Sequence, residues 1–492
     1  MKQVIIYMVL LLALIPSGVE AQDAFDEFKR RIDSDFSRFQ NEKNKEYDDF
    51  RKKINAEYAD FLKKSWEEYN SFKGIPKPKD EPVPPVIYDD KKPIKDNPKP
   101  FDEIIPVVEP EPQPTPVAPI EDSPKPVVES HAFSFYHTPM SVRLGNSHRF
   151  TLASCNEKSV AQVWNVLSGN RYNDVINDCL KIRVQYRLCD WAYLEMLNEM
   201  STSFFKGRKN EAVLLAAFIY CQSGYKMRLA YAGERLYMLY ASNYGIYDMP
   251  YWNIGGVDYY AYDCNSEQLH ICNASFPNEK PLSLQMTSEQ LFSSNISESR
   301  NLQSTRYKDV KTSVSVNKNL IDFYNSYPTA MINNDLGTRW AMYANTPLSK
   351  NAQMSLYPSL KSAVSNSGQL DAVNKLLNFV QTAFEYEYDD KVWGHDRAFF
   401  ADETLFYPYC DCEDRSILFS RLVRDLLGLK VVLMYYPGHL AAAVHFTEEV
   451  KGDYILLNGE KYVVCDPTYI GAPVGRTMPD MDNSSATVIL LD

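Results

Sequence analysis

Three residues in the last third of the chain have the types and the order for nucleophilic acyl chemistry: Cys412, His439 and Asp466. A thiol attacks a carbonyl as thiolate, so it needs a base or a positive field beside it. An imidazole can serve as that base, and a carboxylate on its far nitrogen can hold the ring in one tautomer. Each of the three falls at the edge of an expected element. Asp411 reads as the N-cap of a helix, and Asp414 is placed to complete a capping-box-like start. Ile417, Leu418, Phe419, Leu422, Val423, Leu426 and Leu427 make that helix apolar on most sides, and Gly428 stops it. The helix N-terminus and Arg415 favour a thiolate at Cys412, whereas Asp411, Glu413 and Asp414 oppose it.

The elements that must position the other two follow directly. Leu429 to Tyr436 reads as a strand, broken by Pro437-Gly438. His439 opens the next strand, on one face with Ala441, Ala443 and His445. The small alanines leave room for close packing or for a substrate. Tyr454–Leu457 and Lys461–Cys465 flank Asn458-Gly459, a hairpin signal. Asp466 ends that hairpin, where Pro467 stops the ladder. His445 lies roughly 20 Å along the strand from His439 and reads as a strand residue rather than a second base. In an oxidising compartment Cys410 or Cys465 could pair with Cys412 and silence it.

The segments CEDRSILFSRLVRDLLGL, GHLAAAVHF and YVVCDPTYIG together resemble the core of the transglutaminase-like superfamily of papain-related thiol enzymes. The likeness runs from about Leu370 to Gly471 and rests on three motifs in the family's order. Two positions depart from the usual pattern. Cys410 stands where a small residue is common, and Leu440 where an aromatic often follows the histidine. The resemblance implies an α+β, papain/transglutaminase-like domain. In it Cys412 would be the nucleophile, His439 the general base and acid, Asp466 the orienting group, and the backbone N–H of Cys412 an oxyanion donor.

Composition narrows the setting. The chain has 492 residues, enough for two or three domains. A net charge of -12 opposes binding to nucleic acid or to an anionic membrane surface. Met1 to Gln22 carries Lys2, an apolar run from Val4 to Ile15 and Val19-Glu20-Ala21 as a cleavage site. This predicts a secretory signal over residues 1–21 and a secreted or periplasmic protein, with no membrane span elsewhere. Nine cysteines leave at least one unpaired if the others form disulfides. Cys264 with Cys272, and Cys179 with Cys189, are close enough to close small loops. No cysteine–histidine spacing resembles a zinc site, no calcium loop is evident, and no cofactor is expected.

Residues 22–74 carry an eleven-residue repeat. Phe28, Phe39, Phe50, Phe61 and Phe72 form one row, and Phe25, Phe36, Tyr47, Tyr58 and Tyr69 a second. That period predicts a straight or slightly right-handed helical seam, roughly 75 Å long. Self-association of this helix through residues 25–72, or packing on another envelope component, would cover the stripe. Residues 75–130 hold 16 of the 29 prolines and read as an extended, polyproline-like spacer.

Residues 131–265 read as a degenerate copy of the C-terminal fold. Arg208 to Tyr231 has the same succession of polar start, apolar helix, glycine, lysine and strand. Arg208 falls where Cys412 sits, and Arg235 where His439 sits. Chance similarity of two helix–strand units is the alternative. Helices are expected over Val160–Leu167, Tyr172–Val184, Trp191–Phe204 and Leu370–Phe384, and a strand over Trp340–Tyr343. Residues 266–330 read as a connecting segment of loops and short strands, and residues 331–492 as the domain holding the three chemical residues. Tyr386 to Ala401, with Tyr407 and Tyr409, either walls a substrate groove or packs on the surface.

Two functions follow as expectations. One is an exported thiol enzyme acting on amide bonds of a peptide or protein, as peptidase, amidase or acyl transferase. The other is a non-catalytic envelope binding or scaffold protein built on the same fold.

Overall fold

The computed structural model describes residues 19–77, 82–89, 104–264, 266–332, 335 and 337–492. Residues 1–18 of the expected secretory signal lie outside that set. Among the described residues no helix is long and apolar enough to cross a membrane. The fold is mixed α+β.

Helix α1 spans Val19–Leu62. Its aromatic stripe is exposed at Phe36 and Phe39, whereas Tyr58, Ala59 and Leu62 are buried in the core. Asn55 fixes the docked end. It exchanges two amide hydrogen bonds with Gln222, each 3.0 Å long, and accepts a third from Trp164 Nε1 at 3.1 Å. The repeat predicts helix as far as Phe72; the structure corrects this. Trp66 turns into the core, and β1 (Glu67–Asn70) pairs with a strand further along the chain. Phe72 stacks on Tyr251 with ring centroids 5.3 Å apart. A free sheet edge outcompetes two more turns of helix, since tertiary burial overrides local periodicity.

The proline-rich segment is likewise not a spacer where it is described. β2 (Val86–Ile87) pairs in parallel with Tyr469–Ile470, and β3 (Ile104–Ile105) with the strand near the end of the chain. Thr115 runs so close to Gly224 that a Cβ there would fall 2.1 Å from the Thr115 carbonyl. Arg183 holds the neighbouring Pro114 carbonyl at 3.2 Å. Proline-rich chain loses little conformational entropy when laid along an edge, and it suits edges because it offers few N–H donors.

Two six-stranded sheets carry the rest. The first follows helix α2 (Lys209–Gln222) and uses β4 (Met227–Ala232), β5 (Arg235–Ser242), β6 (Tyr251–Ile254), β7 (Val257–Ala261) and β8 (Gln268–Ile271). Its order is β1-β8-β4-β5-β7-β6. The second follows α3 (Cys412–Leu427) and uses β9 (Val431–Tyr436), β10 (His439–His445), β11 (Tyr454–Leu457), β12 (Glu460–Cys465) and, beyond β13 (Tyr469–Ile470), β14 (Thr487–Leu490). Its order is β3-β14-β9-β10-β12-β11. The two orders correspond strand for strand: an edge from the N-terminal segment, then the last, first, second, fourth and third strands. β4 and β9 have equal lengths, and a two-residue turn leads from each to a strand that opens on Arg235 in one sheet and His439 in the other.

α3 is buried along most of its length and packs on β10, on helix Gln369–Ala383 and on helix Thr338–Asn345. The last of these corrects the strand expected over Trp340–Tyr343: a buried helical turn, not a pleat, holds Trp340. All nine cysteines are free thiols, so neither expected loop-closing pair forms.

Removing the Asn55 side chain strands buried amide atoms on Gln222 and the Trp164 indole. Asn55→Ala should lower the unfolding free energy by about 1–3 kcal/mol, read from a urea titration. Phe36→Ala, at a position 64 % exposed, should shift it by no more than about 0.5 kcal/mol.

Candidate active site

Cys412 is the first residue of α3. The Asp411 carboxylate accepts the Glu413 N–H at 3.2 Å, and the Asp414 carboxylate accepts the Asp411 N–H at 3.2 Å, which completes the expected capping box. Gly428, at φ +65°, ends the helix in the left-handed region. The Asp414 carboxylate also accepts the Phe399 N–H at 2.8 Å, so the preceding loop is pinned to the helix start. Buried Arg415 donates to the carbonyls of Gln381 and Phe384 at 3.2 and 2.9 Å. Its guanidinium offsets part of the burial that raises the Cys410 thiol.

His439 and Asp466 meet. His439 Nε2 donates to Asp466 Oδ2 at 2.9 Å, and both side chains are buried. The other Asp466 oxygen accepts the N–H groups of Thr468 and Tyr469 at 2.8 and 3.2 Å. Gln381 holds the same turn from outside. Its Nε2 donates to the carbonyls of Asp466, Tyr469 and Ala472 at 3.0, 2.8 and 3.1 Å, and its Oε1 accepts the Gly471 N–H at 3.1 Å. With Nε2 committed to a carboxylate, the imidazole keeps its lone pair on Nδ1. That atom is buried and has no hydrogen-bond partner.

His439 and Cys412 line one cleft, with Pro82, Trp340, Tyr388, Tyr435 and Leu440. Two contacts draw α3 onto the strand that starts with His439. Ser416 Oγ donates to the Leu440 carbonyl at 2.8 Å, and the Leu440 N–H faces the Cys412 sulfur. His439 and Asp466 are therefore in direct contact, and Cys412 shares a cleft with His439. Neither Cys410 nor Cys465 bonds to Cys412. Their thiols face the carbonyls of Glu385 and Val463. His445 sits away from the cleft, with Nδ1 on the Lys461 carbonyl at 3.0 Å.

The electrostatics work against a resting thiolate. Burial pushes the Cys412 thiol well above its ordinary range, and the charges of Asp411 and Glu413 push it further, against the Leu440 N–H. Burial first, and then the neighbouring carboxylates, raises Asp411, Glu413 and Asp414, and brings Asp389 up to about 8. Asp389 and Asp396 join Asp390, Asp411 and Glu413 in lining the cleft. Sequence reasoning missed Asp389 and Asp396, which come from the segment leading to α3, and Arg339, which comes from an earlier helix. The loop Tyr386–Ala401 does wall the cleft, through Tyr388 and its acidic residues, while Trp393 and Phe399 pack on Tyr407. Tyr386 stands near Cys412 with its hydroxyl buried and unpartnered.

Two residues ahead of β2 touch this region. The Val83 N–H donates to the Gly438 carbonyl at 3.0 Å, in the turn that launches His439, and Lys77 Nζ donates to the Asp396 carbonyl at 3.0 Å. Cys412 is 3 % and His439 1 % exposed, so both lie at the floor of the cleft. Comparison with family models, with curated proteins and with solved structures returned no match.

A thiol held up by burial and carboxylates should alkylate ever faster as pH rises past the ordinary cysteine value of about 8.5. Asp411→Asn keeps the cap and removes one opposing charge. It should lower the apparent thiol pKa and raise the iodoacetamide rate at pH 8, followed by peptide mapping of Cys412. An unshifted pH–rate profile would count against this account of the site.

Proposed function

We propose that the chain is an exported, transglutaminase-like thiol enzyme that cleaves or transfers the acyl group of an amide. The observation that carries the reading is the buried, unpartnered Nδ1 of His439, fixed by the Asp466 carboxylate, in the cleft that also holds Cys412. Three further features support it. Cys412 opens a capped helix, Leu440 N–H faces its sulfur, and the Asp466 turn is held by Gln381.

The thiol rests protonated. As the sulfur bonds to a substrate carbonyl carbon, its proton passes to His439 Nδ1, and Asp466 stabilises the imidazolium through Nε2. The carbonyl oxygen becomes an oxyanion, for which backbone N–H groups at the start of α3 are the nearest helix donors. His439 then gives its proton to the leaving nitrogen, the C–N bond breaks, and a thioester on Cys412 remains. Water, or an amine in acyl transfer, attacks that thioester while His439 takes the incoming proton. The thiolate leaves and is reprotonated. Hydrolysis is the favoured outcome, because water needs no dedicated acceptor pocket.

Residues 131–265 are read as the same fold without the chemistry. The matching strand order of the two sheets supports this, as does Arg235 at the start of β5. Arg208 caps α2, and its guanidinium is taken by the Phe150 carbonyl and Glu211. This unit would bind or brace. The exposed stripe of α1 is proposed as a contact with a second copy or with another envelope component.

A non-catalytic binding role is the second reading, favoured by the burial of Cys412. Alkylation separates the two. For an enzyme, iodoacetamide should modify Cys412 ahead of the other thiols, and His439→Ala should slow that reaction by about 100-fold. Cell-wall peptides should be hydrolysed by the native protein and not by Cys412→Ala. Uniformly slow labelling of all nine thiols, unaffected by His439→Ala, would favour the binding role.

A further inference from the structure

A second cavity lies in the half of the chain that lacks the three chemical residues. Its volume is about 360 Å³, within the usual range for a small-molecule site. One wall is a face of the helix Asp190–Phe205, where Glu195, Asn198, Glu199 and Thr202 recur at the spacing of a single stripe. Another is the turn between strands His131–Phe135 and Thr138–Val142, and Tyr262 completes the lining. Tyr136 and His137 make that two-residue turn, at φ +42° and +56°. Such turns ordinarily take Asn-Gly, because both residues must be left-handed, so a tyrosine is held there under strain. Its hydroxyl donates to Glu195 Oε2 at 3.0 Å, and its ring packs on Phe292 and Phe323. Burial raises the Glu195 carboxyl to about 7, against the hydrogen bonds of Tyr136 and Tyr262, so near neutral pH much of its charge is gone. Asn198 Nδ2 is buried and meets no acceptor among the described residues. A buried amide donor without an acceptor is costly.

We propose that this cavity binds a neutral sugar ring, a hexose or N-acetylhexosamine carried on a glycan. A hydroxyl group both donates and accepts, so one sugar can serve a glutamate oxygen and the Asn198 amide together. An acetamido carbonyl would answer the same amide. An organic cation offers donors alone and would leave Asn198 without an acceptor. An anion would meet Glu199 with nothing to offset it, since among the described residues no basic side chain lines the cavity. The aromatic lining suits the C–H faces of a pyranose, because the face of an aromatic ring is its negative side. Tyr262 is stacked on Trp191 with ring centroids 5.5 Å apart and 21° between their planes, so its ring is held in place by the protein itself. A wall fixed beforehand costs less ordering on binding.

The sugar site gives a ligand class to the unit read above as binding or bracing. None of the residues that line it lines the cleft of Cys412. The two are joined through the end of the helix Lys318–Ser326. Ser326 meets the Tyr136 hydroxyl, and Asn325 accepts from the Tyr407 hydroxyl at 2.9 Å and from Arg397. The site stands whether or not the thiol reacts.

Saturation-transfer NMR on the full chain tests the site, with trimers of N-acetylglucosamine, glucose, mannose and galactose as probes and trilysine as the cationic comparison. At least one sugar trimer should bind, and calorimetry then gives its affinity. Asn198→Asp keeps the side-chain shape but turns the donor into an acceptor, and should weaken binding by about tenfold or more. Tyr262→Ala should do the same, and circular dichroism shows whether each variant is folded. Glu199→Gln removes a charge but keeps a carbonyl acceptor, so sugar binding should survive it. Cys412→Ala should bind as well as the native chain. Binding of none of the four trimers would overturn the proposal, as would sugar binding indifferent to both Asn198→Asp and Tyr262→Ala. So would trilysine binding that Glu199→Gln abolishes, with no sugar bound, which would assign the cavity to an organic cation instead. Sugar binding by a protein whose Cys412 is inert to iodoacetamide would uphold the site and remove the nucleophile reading alone.

Discussion

The hydrogen bond between His439 and Asp466 is the constraint on which the C-terminal half of the structure turns. Two titratable side chains are taken out of water, and each is tolerable only because the other is there. Neither can reach its place by local structure alone. His439 depends on the left-handed Gly438 and on a strand flanked by two others. Asp466 depends on a turn whose three carbonyls all face the Gln381 amide. Gln381 belongs to a helix that Arg415 ties to α3, and α3 carries Cys412. One series of polar contacts therefore runs from the Asp466 turn through Gln381 and Arg415 to the helix that carries Cys412.

The charges around the thiol pull in opposite directions, and their balance explains the character of the site. The amino end of a helix favours an anion by roughly 0.3–1 kcal/mol when exposed. Burial beside two carboxylates opposes it by more. A sulfur in that setting rests as the thiol rather than as the anion. Such a thiol is also guarded against chance oxidation, because sulfenic acid formation follows thiolate character and exposure.

Much of this was legible in the chain itself, and the reasons are physical. Asp411 and Asp414 stand at the spacing a capping box requires, and Gly428 at the spacing a helix stop requires. Asn458-Gly459 marks a hairpin that delivers Asp466. Each is a contact between near neighbours in sequence, so its signal survives without a fold. The misread elements all depend on distant partners. Nothing in the run from Trp66 to Phe72 says that a sheet edge lies ready for it, and the eleven-residue period carries on through it regardless. Prolines advertise an extended chain but not what that chain lies upon. Trp340 looks equally at home in strand or helix until α3 is placed against it. Asp389, Asp396 and Glu413 share no spacing at all; only the loop that Asp414 pins to the helix start brings them to one point.

The parallel pairing of β3 with β14 has a consequence for the order in which the molecule can be assembled. Val488 lies opposite Ile104, so the second sheet gains its outer edge only when a stretch made early in synthesis is met by one made much later. Val86 and Ile87 likewise wait for Tyr469 and Ile470. Contacts of such long sequence separation form late and slowly, and the strands they complete stay open to wrong pairing until then. The first six-stranded unit is nearer to self-sufficient, since β1 finds β8 at shorter range. Folding should therefore deliver the arginine-bearing half first and the cysteine-bearing half second. The cleft that holds Cys412 and His439 would then be completed only after the first sheet has closed.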